Sequence, residues 1–247
     1  MPDRQLSFPN CFNVRDLGGL PTARGATTRW QAFVRADSPY RLTHDSQHAL
    51  LDYGVRTVID LRSDIELEEE PNPFRADERV TYHHVSIIDP RDAERLSAAI
   101  REQGMLAWNR LMLDIASGTI GRVMQAIAAA PDGGVMFHCY AGKDRTGLMA
   151  MLLLSLAGVS DEDVASDYAE SNQYLDALNT RTLARFPDEI KPRVRANLLS
   201  GHDNMCQILD HLHARYGDAR QYLLSAGLSA VEIERILKRL VSSRGLP

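Results

Sequence analysis

Val135-Met136-Phe137-His138-Cys139-Tyr140-Ala141-Gly142-Lys143-Asp144-Arg145-Thr146-Gly147 leads from an apolar run, through a short polar loop, into the first turn of a long apolar helix. Val135–Phe137 has the continuous apolar character of a strand buried on both faces. Leu148 to Leu154 are apolar throughout, as in a helix covered on every side. Strand, loop and buried helix in this order imply an α/β fold. Cys139 and Arg145 enclose five residues with Gly142 among them, so the loop can turn its N–H groups inward. Those groups and the helix N-terminus make an anion cradle, and the same positive field favours thiolate over thiol. Arg145 adds a planar fork able to grip two phosphate oxygens. Nucleophile, oxyanion cradle and charge clamp converge as attack on a phosphate monoester requires.

His138-Cys139-x5-Arg145-Thr146 resembles the active-site loop of the cysteine-dependent protein tyrosine phosphatase superfamily. The fuller His-Cys-x-Ala-Gly-Lys-Asp-Arg-Thr-Gly string is similar to one branch, the atypical bacterial tyrosine/serine phosphatases, several of which also act on phosphoinositides. Asn13-Val14-Arg15-Asp16-Leu17-Gly18-Gly19 and Val58-Ile59-Asp60-Leu61-Arg62-Ser63 resemble two further stretches of that branch, in the same order. Tyr216-Gly217, Tyr222-Leu223 and Ala226-Gly227-Leu228 resemble its closing helices. The resemblance covers nearly the whole chain. It implies a phosphatase acting through a phosphocysteine on phosphotyrosine protein, with phosphoserine/threonine or phosphoinositide as further substrates, and no cofactor.

Other readings of the loop fare less well. For a nucleotide-binding G-x-x-x-x-G-K-[ST] loop, Phe137 stands where the first glycine belongs and Asp144 where the hydroxyl belongs. A rhodanese-like sulfurtransferase also cradles an anion around a loop cysteine and stands as the enzymatic alternative, although Arg145 and Thr146 favour the phosphatase. A phosphate-binding module with weak turnover is the non-enzymatic alternative.

Composition sets the outer bounds. The 247 residues, 44% hydrophobic and 25% charged, are those of an ordinary globular protein. A formal net charge of −5 gives no reason to expect nucleic acid as a partner. No run of about 20 apolar residues is present to span a bilayer, and Met1-Pro2-Asp3-Arg4-Gln5 lacks a signal-peptide core. A cytoplasmic location is expected, with export by a route that needs no signal peptide left open. Cys11, Cys139 and Cys206 lie far apart and form no disulfide framework. His83-His84 on a strand, and His211 with His213 on a helix, point apart, so no metal is expected. Oligomeric state is not legible in the chain.

Working outward from the loop, the expected fold is protein tyrosine phosphatase-like, a short and largely parallel central sheet flanked by many helices. Residues 1–247 read as one domain, with a helical insertion over about 91–130 placed to act as a lid and broken near Gly104 and Gly118. Thr43 caps a helix that Gly54 ends. Val55–Leu61 and Val80–Ile88 read as strands. The charged run Asp64–Glu70 reads as a solvated helical turn. Ser160 with Asp163, and Ser229 with Glu232, have the capping-box spacing.

Roles can be assigned residue by residue. Cys139 is the expected nucleophile. Arg145 and the N–H groups of Tyr140, Ala141, Gly142, Lys143, Asp144 and Arg145 form the phosphate site. Thr146 is placed to hydrogen-bond the sulfur. His138 and Asp60 orient the loop. For the general acid, Asp144 or Asp89 is expected, Asp144 reading equally well as a carboxylate that shapes the loop and Asp89 as an Asp-Pro turn, and Asp60 is a third candidate. Lys143 supplies a second cation beside Arg145, which would suit a substrate carrying more than one phosphate.

Overall fold

In the computed structural model, which describes residues 3–241, five strands form one sheet in the order β1 (Arg15–Asp16), β2 (Phe33–Ala36), β5 (Gly134–His138), β3 (Val55–Asp60) and β4 (Thr81–His84). Only β1 runs antiparallel to its neighbour; the other pairings are parallel. β5 lies in the middle and every residue of it is buried. Phe137 and Val135 face the larger hydrophobic core and Met136 the smaller one, the period-2 alternation of a strand covered on both sides.

The helices α1 (His44–Tyr53), α2 (Asp64–Glu69), α3 (Ala93–Gln103), α4 (Met105–Ile115), α5 (Ser117–Ala129) and α6 (Asp144–Leu156) are followed by α7 (Asp161–Leu183), α8 (Lys191–Leu198), α9 (His202–Tyr216), α10 (Ala219–Ser225) and α11 (Ala230–Leu240). α6 buries every residue from Thr146 to Leu154. Thr43 caps α1, and Gly54 closes it at φ 114°. Ser229 and Glu232 form a full capping box on α11. Ser160 caps α7, but the Asp163 carboxylate meets its hydroxyl rather than its backbone N–H.

Two boundaries differ from the sequence reading. The strand expected over Val80–Ile88 pairs only across Thr81–His84, because the chain then bends over the strand ends, Val85 and Ile87 donating to the carbonyls of Asp60 and Leu61. The second break in the helical run falls at Ala116, and Gly118 lies inside the first turn of α5. That run is also divided in its packing. α5 buries Ile120, Val123, Met124 and Ile127 in the main core, whereas α3 buries Leu96 alone.

Candidate active site

Parallel pairing brings three strand ends together. His138 stands in register with Ala36 of β2 on one side and with Asp60 of β3 on the other. The loop from Cys139 to Lys143 leaves the C-terminal end of the central strand, where ligands of open α/β sheets bind.

The backbone of this loop is turned inside out by its neighbours. His138 Nδ1 lies 3.1 Å from the Cys139 carbonyl and Ser38 N donates to that of Tyr140 at 2.9 Å. Asn13 Nδ2 donates to Ala141 O at 3.0 Å and Gly142 O at 3.1 Å. Arg35 Nη2 donates to Gly142 O at 2.8 Å and Lys143 O at 3.4 Å. Every carbonyl from Cys139 to Lys143 therefore has a donor outside the loop. Among the described residues, no amide from Tyr140 to Arg145 has a protein acceptor. Such converging amides bind an anion. Gly142 adopts φ +65°, and a side chain there would place Cβ 2.5 Å from the Ala36 carbonyl. Gly147 lets the Tyr168 ring lie against α6, where a Cβ would sit 2.8 Å from it.

The cavity above the loop has a volume of about 400 Å³. Cys139, Tyr140, Ala141, Asp144, Arg145 and Glu66 line its floor and side. Ile88, Ala93, Leu96 and Ile100, with Met105 and Trp108 of α4, supply an apolar wall. Cys139 itself is 3% exposed. Arg145 is clamped by a carboxylate not foreseen from the sequence. Its Nη1 and Nη2 donate to Glu66 Oε2 and Oε1 at 2.6 and 2.7 Å. This leaves Nε–H and one N–H on each terminal nitrogen for a ligand. Burial pushes the Glu66 carboxyl up, but Arg145 and the capping bonds to Ser63 outweigh it and hold the pKa at about 2. Burial likewise opposes the Arg145 charge, yet the facing Cys139 and Glu66 raise its pKa overall. The Ser63–Glu66 capping box was the local signal for α2. Nothing local tied Glu66 to a residue 79 positions away.

His138 and Asp60, each read from the sequence as orienting the loop, stand side by side beneath it. His138 is fully buried, with Nε2 2.8 Å from Asn72 Nδ2 and 3.5 Å from Asp60 Oδ2. Burial lowers its pKa despite Asp60, so the ring is neutral at pH 7. Nδ1–H toward Cys139 O, and Nε2 accepting from Asn72, is the tautomer this network assigns. Burial works against ionisation of Asp60, but the hydrogen bonds from Arg62 and Asn72 and the Arg62 charge prevail and hold its pKa far below the usual range. Its oxygens also accept from Tyr82 and the Arg62 guanidinium. Asp60 is thus a buried, ionised brace with no proton to give.

The two leading acid candidates part company. Asp144 lines the cavity, with Tyr168 Oη donating to Oδ1 at 2.8 Å and Lys143 Nζ 3.4 Å from Oδ2. Asp89 lines a different cleft, caps the turn at Pro90–Asp92, and is gripped by the Arg91 guanidinium. Hydrogen bonding to Arg91 lowers its pKa to about 2.

Two other expectations are corrected. The Lys143 ammonium is buried and donates to the Asn197 carbonyl on α8 at 2.7 Å. It is absent from the cavity lining, so only the Lys143 backbone belongs to the loop's inner face. The Thr146 hydroxyl is buried without a hydrogen-bond partner, and its expected bond to the sulfur is not made.

The N-terminal Asn13–Gly19 stretch supports the loop from behind. Arg15 Nε and Arg35 Nη1 reach opposite oxygens of Asp167 on α7, at 3.1 and 2.6 Å, all three side chains being buried. Burial and the neighbouring Arg15 charge lower the Arg35 pKa to about 10. The pair's ties to Asp167 fix the guanidinium that caps the Gly142 carbonyl.

A sequence model of the tyrosine phosphatase family matches residues 6–242. A Nostoc commune protein named tyrosine-protein phosphatase is 33% identical over 233 residues, 89% of this chain and 78% of that one. The triple specificity protein phosphatase PtpB of Mycobacterium tuberculosis is 25% identical over 273 residues, covering 93% of this chain and 96% of its own.

Proposed function

The chain belongs to the tyrosine phosphatase family, and from that footing we propose that it hydrolyses phosphotyrosine in proteins with Cys139 as nucleophile and Asp144 as general acid. The observation that carries this reading is the loop whose carbonyls are all engaged from outside while its amides face a cavity holding a cysteine and an arginine.

In the first step Cys139 thiolate attacks phosphorus. The S–P bond forms and the ester P–O bond breaks, with Asp144 passing its proton to the departing phenol oxygen. In the second, water attacks phosphorus, Asp144 takes a proton from it, and the thiolate leaves. Arg145 and the loop amides hold the equatorial oxygens, where charge is concentrated in the transition state. Once sulfur carries charge, the free Thr146 hydroxyl gains an acceptor, which makes Cys139 the better leaving group. Asp144 is preferred to Asp89 because it alone lines the cavity.

An anion-binding floor beneath an apolar wall suits an aryl phosphate, whose ring would lie against Leu96, Ile100 and Trp108. The triple specificity in the name of the mycobacterial relative extends the proposal to phosphoserine/threonine and phosphoinositide as secondary substrates. Lys143 contributes no headgroup contact to that extension, because its ammonium is engaged by Asn197. We read residues 91–130 as a lid only in part: α3, whose one fully buried residue is Leu96, closes over the cavity by hinging at Gly104, which has φ 82°.

The test is hydrolysis of an aryl phosphate across pH without added metal. The wild type should turn over, and Cys139→Ser should abolish turnover while still binding inorganic phosphate. Retained activity in the serine variant would refute the mechanism, and an inert wild type would refute the function.

A further inference from the structure

Tyr140 lies between two cavities. One side faces the Cys139 cavity, and the other lines a second groove of about 250 Å³. Apart from Tyr140, the second groove is built from residues the reaction does not use. Phe12 and Tyr40 stand half exposed on its wall, as does Tyr140 itself. Arg41 comes from the turn after β2, Arg181 from the last turn of α7, and Arg185 from the turn that follows it. Of the two acids on its wall, Asp37 is buried and accepts from the amides of Phe12 and Asn13. Glu70 lies 3.9 Å from Arg41. Among the described residues, Arg181 and Arg185 have no acidic partner.

We propose that this groove binds a second anionic side chain of the substrate, a phosphorylated or acidic residue close in sequence to the phosphotyrosine held over Cys139. The inference rests on the phosphotyrosine reading and deepens it. Guanidinium groups with no carboxylate of their own are suited to a phosphate or carboxylate. A peptide also offers side chains that pack against the aromatic rings between the arginines. An inositol headgroup carries only hydroxyls and phosphates, which leaves those rings uncovered, so the observations favour a peptide over a lipid. The shared Tyr140 makes the two sites contiguous, so one short extended segment can occupy both, at roughly 3.3 to 3.6 Å per residue.

The test compares three phosphotyrosine peptides of one sequence, with neutral flanks, with glutamates, or with a second phosphorylated residue one to three positions away. The wild type and Arg181→Ala/Arg185→Ala are assayed on each, on a small aryl phosphate, and on phosphoinositide vesicles. The wild type should show the lowest KM for the doubly phosphorylated peptide. The double variant should raise that KM about tenfold, from two exposed charge pairs lost. Its kcat, its neutral-peptide KM and its aryl phosphate turnover should be unchanged, which also reports an intact fold. Equal effects on neutral and anionic peptides, or none, would overturn the proposal. Loss confined to phosphoinositide would overturn the peptide assignment. Failure of the wild type on the aryl phosphate would instead refute the phosphatase reading.

Discussion

Glu66→Gln isolates one contact, because glutamine keeps the shape and can still serve the capping box at this helix position. The wild-type carboxyl falls from an ordinary 4.5 to about 2. At about 1.4 kcal/mol for each pKa unit, this corresponds to ~3 kcal/mol favouring the charged form. Roughly 1 kcal/mol of that belongs to the cap, and the Arg145 pair accounts for the remaining ~2 kcal/mol. Because the folded pKa is depressed, this stabilisation is complete above the unfolded value near 4.5 and is lost as pH falls toward 2. At neutral pH the variant should therefore melt about 4–8 °C lower, and the gap should shrink to less than half by about pH 3. Arg145 would also lose the partner that aims its fork. A misplacement of about 1 Å can cost a hundredfold, so kcat/KM on an aryl phosphate should drop about 10- to 100-fold. Calorimetry at the two pH values, with steady-state kinetics at neutral pH, reads both effects. A melting point within about 1 °C of wild type, together with kcat/KM within about twofold, would refute the reasoning.

Asp144→Asn should lower kcat on a phosphopeptide by about 10²–10⁴, spare an aryl phosphate with a good leaving group, and flatten the pH dependence. Asp89→Asn should leave both rates unchanged, and a reversed pattern would make Asp89 the acid. Gly142→Ala forces a side chain into the left-handed region and against the Ala36 carbonyl. It should cost about 2 kcal/mol or more by denaturant titration and abolish turnover; wild-type stability would show that the loop relaxes freely.

Secondary structure and the loop's chemistry were largely legible because their causes are local. The strand read from Val135–Phe137 is the centre of Gly134–His138 in the structure, since residues buried on both faces leave a continuous apolar run. The helix after the loop was readable for the same reason. The Thr43 and Gly54 signals marked both ends of α1, because caps satisfy backbone groups within a few residues. Val80–Ile88 misled because its apolar content is also that of a chain crossing the strand ends, where burial continues but ladder pairing stops.

What the sequence determined by itself was the family, the buried strand and helix on either side of the loop, and the placing of Cys139 and Arg145 at the two ends of that loop, all carried by residue types at fixed short spacing. Tertiary structure alone decided which carboxylate faces the cavity, that Glu66 holds Arg145, that the Lys143 ammonium turns away to α8, and that Asn13 and Arg35 draw the loop carbonyls outward. Each of those depends on a partner tens of residues away in the chain. Direction and burial of a polar side chain follow from which strands and helices pack together, and no local pattern encodes that.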